Sequence, residues 1–410
     1  MNLEPTEDWR EIKRIAPHFC ESLKLLSEVS FPSPDPLDLP ECLGLIPHSK
    51  FQRTKDWNRY LRQENSNGIS NRELYLRVLL LYAVSDQGAH IPGVRYFMKS
   101  FIQSSYDLGI RFFHDVDSIG DSRLVDLAAE ASKKAKNEYA NEWAEGRKKT
   151  ANSYSVFIVD RKGRLSTNSY VNSRISPVLW LPHIIGGLDE NIRQMPSIAR
   201  LKKFIKSDHH HGLKDTIGHK ALDLYAKWVF HSFRLYRSGS SLTSPLITPS
   251  KIAIPMDQRI GRVLMRCGFM DELYGMEWCF ENQEESYPMF TEGNTIAKLE
   301  DGEPPQKKVH LRVTNFRTQG RITNAKIIAL FNRIKVLPRI SVFLPQTSII
   351  ILLKIYSSQF NLNFYPGDLD NALMNIADKC TDSNPDCEEC PISSSCQANN
   401  GSEYLKKYHT

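Results

Sequence analysis

At 410 residues, 41% hydrophobic and 24% charged, the chain can bury a substantial core and has the makeup of a globular protein. No apolar run approaches membrane-spanning length, and the longest candidate, Ile349 to Leu353, is closed by Lys354. The first residues, Met1-Asn2-Leu3-Glu4-Pro5, lack the basic-then-apolar order of a secretory signal, so a secreted protein is not expected. The expected setting is intracellular, cytoplasmic (nucleoid-associated) or nuclear. In such a reducing compartment the scattered Cys20, Cys42, Cys267 and Cys279 read as core residues.

The net charge of +6 is unevenly placed. Between Pro304 and Gly367 there is no Asp or Glu, while ten Lys or Arg occur, from Lys307 and Lys308 through Arg312, Arg321 and Arg339 to Lys354. Basic side chains are common on any solvated face. A stretch this long with no acid to pair them points instead to a polyanionic partner, with nucleic acid first among them.

Residues 1–69 read as a Pro-interrupted helical lead-in, broken at Phe31-Pro32-Ser33-Pro34-Asp35-Pro36. A confident helix opens at Ser70, with Glu73 three residues on as a capping box, and continues through an apolar stripe of Leu74, Val78, Leu81 and Tyr82. The polar stretch Ser85-Asp86-Gln87-Gly88-Ala89-His90 separates it from a second helix around Val94 to Ile102. Asp121 to Lys149 reads as a long, Ala-rich, charged helix with little apolar face. Ser155-Val156-Phe157-Ile158-Val159-Asp160-Arg161-Lys162-Gly163-Arg164-Leu165 reads as a strand entering a turn. The three consecutive histidines His209-His210-His211 cannot easily converge on one metal and read as a loop. Leu213-Lys214-Asp215-Thr216-Ile217-Gly218-His219-Lys220 is a tight Gly-containing hairpin before a helix through Leu222, Tyr225, Ala226 and Val229. Such a turn lets backbone N–H groups approach a phosphate. In Ile254-Pro255-Met256-Asp257-Gln258-Arg259-Ile260-Gly261-Arg262-Val263, Asp257 opens a helix, a favoured place for aspartate. Residues 280–306 read as an exposed linker.

Near the C-terminus stands Cys380-x6-Cys387-x2-Cys390-x5-Cys396, with Pro391 after the third cysteine. A four-Cys zinc ribbon offers two Cys-x-x-Cys knuckles and this stretch has one; an iron–sulfur cubane also takes four thiolates, and uneven spacing in one loop suits it. The cluster is the favoured expectation and zinc stays open.

This loop, with its helical lead-in Asp370 to Ala377, resembles the [4Fe-4S] loop of endonuclease III and related DNA glycosylases of the helix-hairpin-helix superfamily. The hairpin around Gly218 and the segment opening at Asp257, with Arg262-Val263 five and six residues later, are similar to two further signatures of that family, in the same order. Thr216 and Asp215 depart from its hairpin pattern, and the excess length between Lys220 and Asp257 falls in Arg237-Ser238-Gly239-Ser240-Ser241, a composition that tolerates insertion.

The resemblance implies a mainly α fold of two helical domains, a six-helix barrel carrying the helix-hairpin-helix and an iron-sulfur cluster domain. On that basis 1–69 packs on the cluster domain, 70–280 forms the barrel, with a small β-containing insertion or heavily elaborated region near 120–190 and the hairpin near 205–235, and 281–410 holds the basic region and the cluster. It implies a [4Fe-4S] cofactor on Cys380, Cys387, Cys390 and Cys396. It implies Asp257 and Lys220 as catalytic residues, and Gln87, Ile217, Gly218, His219 and Arg262 as contacts to duplex DNA holding a damaged or modified base. The expected activity is that of a monomeric DNA glycosylase, with lyase capacity if Lys220 is the nucleophile. A non-catalytic, cluster-bearing DNA-binding protein and a zinc-stabilised nucleic-acid module are the alternatives.

Overall fold

The computed structural model describes residues 17–31, 55–65, 67–85, 91–146, 171–207, 213, 217–236, 247–255, 259–260, 263–264, 267, 346–380, 386–396 and 399, together with five short strands between 290 and 343. It is mainly helical. The chain divides into two compact units: Met1–Ser33 with Ala253–Thr410, and Pro34–Ile252. These are called the cysteine unit and the central unit below.

The central unit is built around one helix. The elements in chain order start with α1 (Pro17–Glu28, in the cysteine unit), then α2 (Lys55–Arg62), α3 (Asn71–Ser85), α4 (Ile91–Asp107) and α5 (Arg123–Gly146). Next come α6 (Ser176–Ile184), α7 (Leu188–Gln194), α8 (Ile198–Ile205) and α9 (His219–Lys227), which runs into a π-helical turn at Trp228–Ser232. The sequence predicts an apolar stripe for α3, but every residue from Asn71 to Ser85 is buried. A helix covered on all sides needs apolar residues around its whole circumference, which Leu74 through Val84 supply. It packs against α2, α4, α6, α7 and α9.

Ser70 caps α3 as expected, its hydroxyl accepting from the Glu73 N–H at 3.1 Å. The reciprocal arm of the capping box does not carry Glu73: its carboxylate accepts instead from the Leu188 and Asp189 N–H groups at the start of α7. Asp121 opens α5, accepting from the Arg123 N–H at 2.9 Å. Contrary to the sequence reading, α5 has an apolar face: Leu124, Leu127, Ala128, Ala131 and Ala135 are buried, and small residues let it lie close on α4. Val171, Ile175, Val178, Leu179 and Leu181 join the same core as α3, so this part of the 120–190 region is integral rather than appended. The strand expected at 155–165 lies outside the described residues.

The expected 1–69 segment is divided between the units. Trp57 of α2 packs edge-on against Tyr75 of α3, at 5.2 Å between ring centroids, because Trp57 and Leu61 have their apolar surface to bury there. In the cysteine unit, α1 buries Phe19, Leu23 and Leu26 and is joined by α10 (Gln346–Gln359) and α11 (Pro366–Lys379). The Ser27 and Tyr356 hydroxyls meet at 2.7 Å and tie α1 to α10. Asn361, at φ 51°, ends α10 in the left-handed region that asparagine tolerates. Pro366 fits the first turn of α11, and the Asp368 carboxylate accepts from the Tyr365 N–H at 2.8 Å.

Five strands, β1 (Phe290–Glu292), β2 (Thr295–Ala297), β3 (His310–Arg312), β4 (Arg321–Thr323) and β5 (Ser341–Phe343), form an antiparallel sheet in the order β2-β1-β3-β4-β5. The 280–306 stretch read as a linker therefore contributes β1 and β2. Three-residue strands carry too few alternations to stand out in a sequence. Within the acid-free basic region, Arg312 and Arg321 are register partners.

Candidate functional site

The cysteine loop starts where α11 stops. Cys380 caps the helix, its N–H donating to Ile376 O at 2.8 Å, and the Asp386 N–H returns to Lys379 O at 3.0 Å, closing the first arm of the loop. Tight turns follow: the Cys390 N–H donates to Cys387 O, the Ser393 N–H to Cys390 O and the Cys396 N–H to Ser393 O, at 3.3, 3.0 and 3.3 Å. Ile392 is wholly buried and anchors this run, while the Ser395 and Ser22 hydroxyls meet at 2.6 Å and fasten it to α1.

These turns bring the other loop cysteines within electrostatic reach of Cys390. Burial pushes the Cys390 thiol up to about 11, and the sulfurs of Cys396, Cys380 and Cys387 push in the same direction; the Ile392 N–H, bonded to the Cys390 sulfur, pulls the other way. All four loop cysteines are thus electrostatic neighbours. A fifth stands with them. Cys267 is 3% exposed, and contact with the Cys396 sulfur, then burial, then Cys380 and Cys390, push its thiol well up. Its N–H donates to Val263 O at 2.9 Å, and Ile260, Val263 and Leu264 of the same segment are buried.

Among the described residues no group of three or more His, Cys, Asp or Glu that could hold a metal ion is found. Four thiols on one short loop are a donor set that zinc and a sulfur-bridged iron cluster both take.

The hairpin lies in the central unit. Ile217 is buried, its N–H donates to Leu213 O at 3.0 Å, and its carbonyl accepts from Lys206 Nζ at 2.9 Å. Its own N–H is thus used inside the fold. Gly218 is the N-cap of α9, at φ −76°, ψ 160°, a conformation open to other residues, and the Leu222 N–H donates to its carbonyl at 3.4 Å. His219 and Lys220 form the first turn of α9, and Lys220 is half-buried. Asp223, one turn on, is 5% exposed and ion-paired with Lys202 of α8. Lys227 follows at the next helical repeat and is wholly buried. The expected apolar face of the helix is present, with Leu222, Tyr225, Ala226 and Val229 all buried.

Gln87, Asp257, Arg262, the three histidines 209–211 and the side chain of His219 lie outside the described residues. On either side of Asp257, Ile254 and Ile260 are buried, and 259–260 and 263–264 are helical, as expected of that segment. Arg259 reaches Asp378 of α11 at 3.5 Å, tying the segment to the helix that leads into the cysteine loop.

Sequence reasoning missed Cys267, Asp223 and Lys227. Lys227, set in Tyr225-Ala226-Lys227-Trp228-Val229, carries a local signal, a lone charge in an apolar run. Cys267 carries none, because its partner sulfur comes from a distant part of the chain. No protein-family model, curated protein or solved structure matches the chain. Among the described residues no helix is long and apolar enough to cross a membrane.

Proposed function

We propose that the chain is a DNA glycosylase of endonuclease III-like, helix-hairpin-helix architecture, with lyase capacity and a [4Fe-4S] cluster. In this reading the central unit is the helical barrel and the cysteine unit is the cluster domain. The observation that carries it is the Cys380-x6-Cys387-x2-Cys390-x5-Cys396 loop that begins where α11 ends, its cysteines within electrostatic reach of Cys390. A Gly-capped helix with a lysine in its first turn and an acid-free basic region support it independently.

Cys380, Cys387, Cys390 and Cys396 hold the cluster, which when bound staples the loop into one shape rather than turning over with substrate. The basic region lowers the cost of approaching DNA phosphates, and the first-turn N–H groups of α9 offer donors to one of them. The target base leaves the stack for a pocket, which needs a distorted duplex. As the glycosidic bond breaks, the Asp257 carboxylate stabilises the positive charge that develops on the sugar. Lys220 attacks the anomeric carbon as an amine, and the resulting Schiff base opens the way to β-elimination of the strand. A helix N-terminus is the end at which a cation is least favoured, which suits an amine nucleophile there.

The test is a screen of duplexes with damaged or modified bases against wild-type, Asp257→Asn and Lys220→Gln protein. Wild type releases a base and is trapped on DNA by borohydride, Asp257→Asn loses base release, and Lys220→Gln loses the trapped adduct. Undiminished base release by the Asp257 variant would overturn the assignment. Tight, salt-sensitive binding to any duplex with no chemistry on any lesion would leave the non-catalytic DNA-binding reading.

A further inference from the structure

Between Glu190 and Asp208 the chain has no acid and five cations, Arg193, Arg200, Lys202, Lys203 and Lys206. The fold gives three of them partners. Arg193 is held by Asp189, Lys202 is ion-paired with the nearly buried Asp223, and Lys206 Nζ donates to Ile217 O at 2.9 Å. Lys202 and Lys206, one helical turn apart at the end of α8, thereby fasten it to both ends of Ile217–Asp223, the segment that holds the Gly218 cap and the first turn of α9. The other two, Arg200 and Lys203, are exposed on α8, and among the described residues neither meets a carboxylate.

Helix stability does not account for this outer pair. Ile198, Leu201 and Ile205 bury the apolar face of α8, and any polar residue would serve opposite them. Arg200 stands in the first turn, its N–H donating to the Ser197 hydroxyl at 3.2 Å, at the end of a helix where a cation is disfavoured. Lys203, in the last turn, suits the dipole, but three residues from Arg200 it adds like-charge repulsion. A polyanion bound from outside relieves both costs. A helix made for a membrane surface would set bulky apolar side chains beside its cations. Here the exposed positions are Ala199, Arg200 and Lys203, and Phe204 is packed against the core.

We propose that Arg200 and Lys203, on the outer face of α8, form a contact site for the phosphate backbone of duplex DNA, held in fixed register with the first turn of α9 by Lys202 and Lys206. This deepens the DNA reading above and rests on it. Contacts to phosphate position a duplex and are blind to its sequence and to the target base. The site is separate from the N–H donors of α9, and the two inner lysines make the two helices one rigid platform.

The experiment measures binding of the full chain, over a range of salt, to an undamaged duplex and to one with an abasic site. It compares wild type with Arg200→Gln/Lys203→Gln and with Lys133→Gln/Lys134→Gln, a pair that is exposed on α5 and removes the same charge. Loss of two phosphate contacts makes the slope of log K against log salt shallower by about 1.8 in the α8 variant, equally on both duplexes, while the α5 variant keeps the wild-type slope. The charge-conserving Arg200→Lys/Lys203→Arg keeps it too. If the double α8 variant does not fold, Arg200→Gln alone serves, with a slope shallower by about 0.9. An unchanged slope in the α8 variant overturns the proposal, and so does an equal change in both neutralised variants, which would be an effect of net charge alone. Loss of binding to phosphatidylserine vesicles with the duplex slope unchanged would assign the face to a membrane and overturns it as well. Wild type with no salt-sensitive binding to either duplex overturns the DNA reading itself, before any variant is made.

Discussion

In the central unit the buried charges around Glu73 are matched donor to acceptor, whereas in the cysteine unit partly buried thiols stand within electrostatic reach of one another. Glu73 accepts from Arg77 Nε at 2.7 Å and from the Leu188 and Asp189 N–H groups at 2.8 and 2.7 Å. Asp189 in turn holds Arg193 at 3.0 Å and the Tyr236 hydroxyl at 2.6 Å, and Arg72 donates to Leu235 O at 3.0 Å. Burial alone would raise the Asp189 carboxyl, but its bonds to Arg193 and Tyr236 and the nearby Arg72 leave it below its usual value. A network satisfied this fully has its chemistry spent on holding helices together. The cysteine loop sets like groups near one another and partly out of water, an arrangement that stabilises little unless something binds there. That contrast separates a structural polar core from a candidate centre.

The largest expected effect is on the loop. With the proposed cluster bound, Cys390→Ser would remove a ligand and leave the chain unable to retain iron, with the cysteine unit losing its cooperative thermal transition and the central unit keeping its own. A single unchanged transition, iron intact, would erase the distinction between the two units. Next in size is Glu73→Ala. It strands Arg77, 7% exposed, and two helix N–H groups, and costs about 3–5 kcal/mol by urea unfolding of the central unit. A loss below about 1 kcal/mol would show that the network is not what holds α7 on α3. Lys220→Gln lies in the same unit yet is expected to leave the urea midpoint within about 0.5 kcal/mol, since the residue is only half-buried, while abolishing borohydride-trapped adducts.

The smallest effect is a pH dependence. His114 lies between the Tyr106 hydroxyl, 3.1 Å from Nδ1, and Asn65 Nδ2, which donates to Nε2 at 3.2 Å. Burial pushes His114 down to about 4, and Arg77, Arg111 and His183 act in the same direction. A ring already accepting from Asn65 has no room for a second proton. The unfolded chain binds that proton below about pH 6.5 and the folded chain only near pH 4. This contribution is therefore complete above about pH 6.5 and erodes as the pH falls toward 4. Urea midpoints of the central unit should fall between pH 7 and pH 5, less so in His114→Gln; equal slopes for the two proteins would remove His114 from the account.

Legibility in the sequence followed the range of the interactions. The start of α3 was readable because Ser70 and Glu73 are three residues apart, and the cysteine loop because its ligand candidates lie on one short stretch. The destination of the Glu73 side chain was not readable. The N–H groups it caps are 115 and 116 positions away, and nothing near Glu73 announces them. Cys267 passed as a core residue for the same reason, and it is indeed buried. The Ala-rich face of α5 was underrated because alanine contributes little hydrophobicity but allows close packing.

The most direct measurement is the iron, zinc and acid-labile sulfide content of the anaerobically purified full chain, with its visible absorption spectrum. About four irons and four sulfides per chain, with a broad band near ~400 nm, is the result expected of the proposed cluster. Zinc without sulfide, or neither metal, would contradict it.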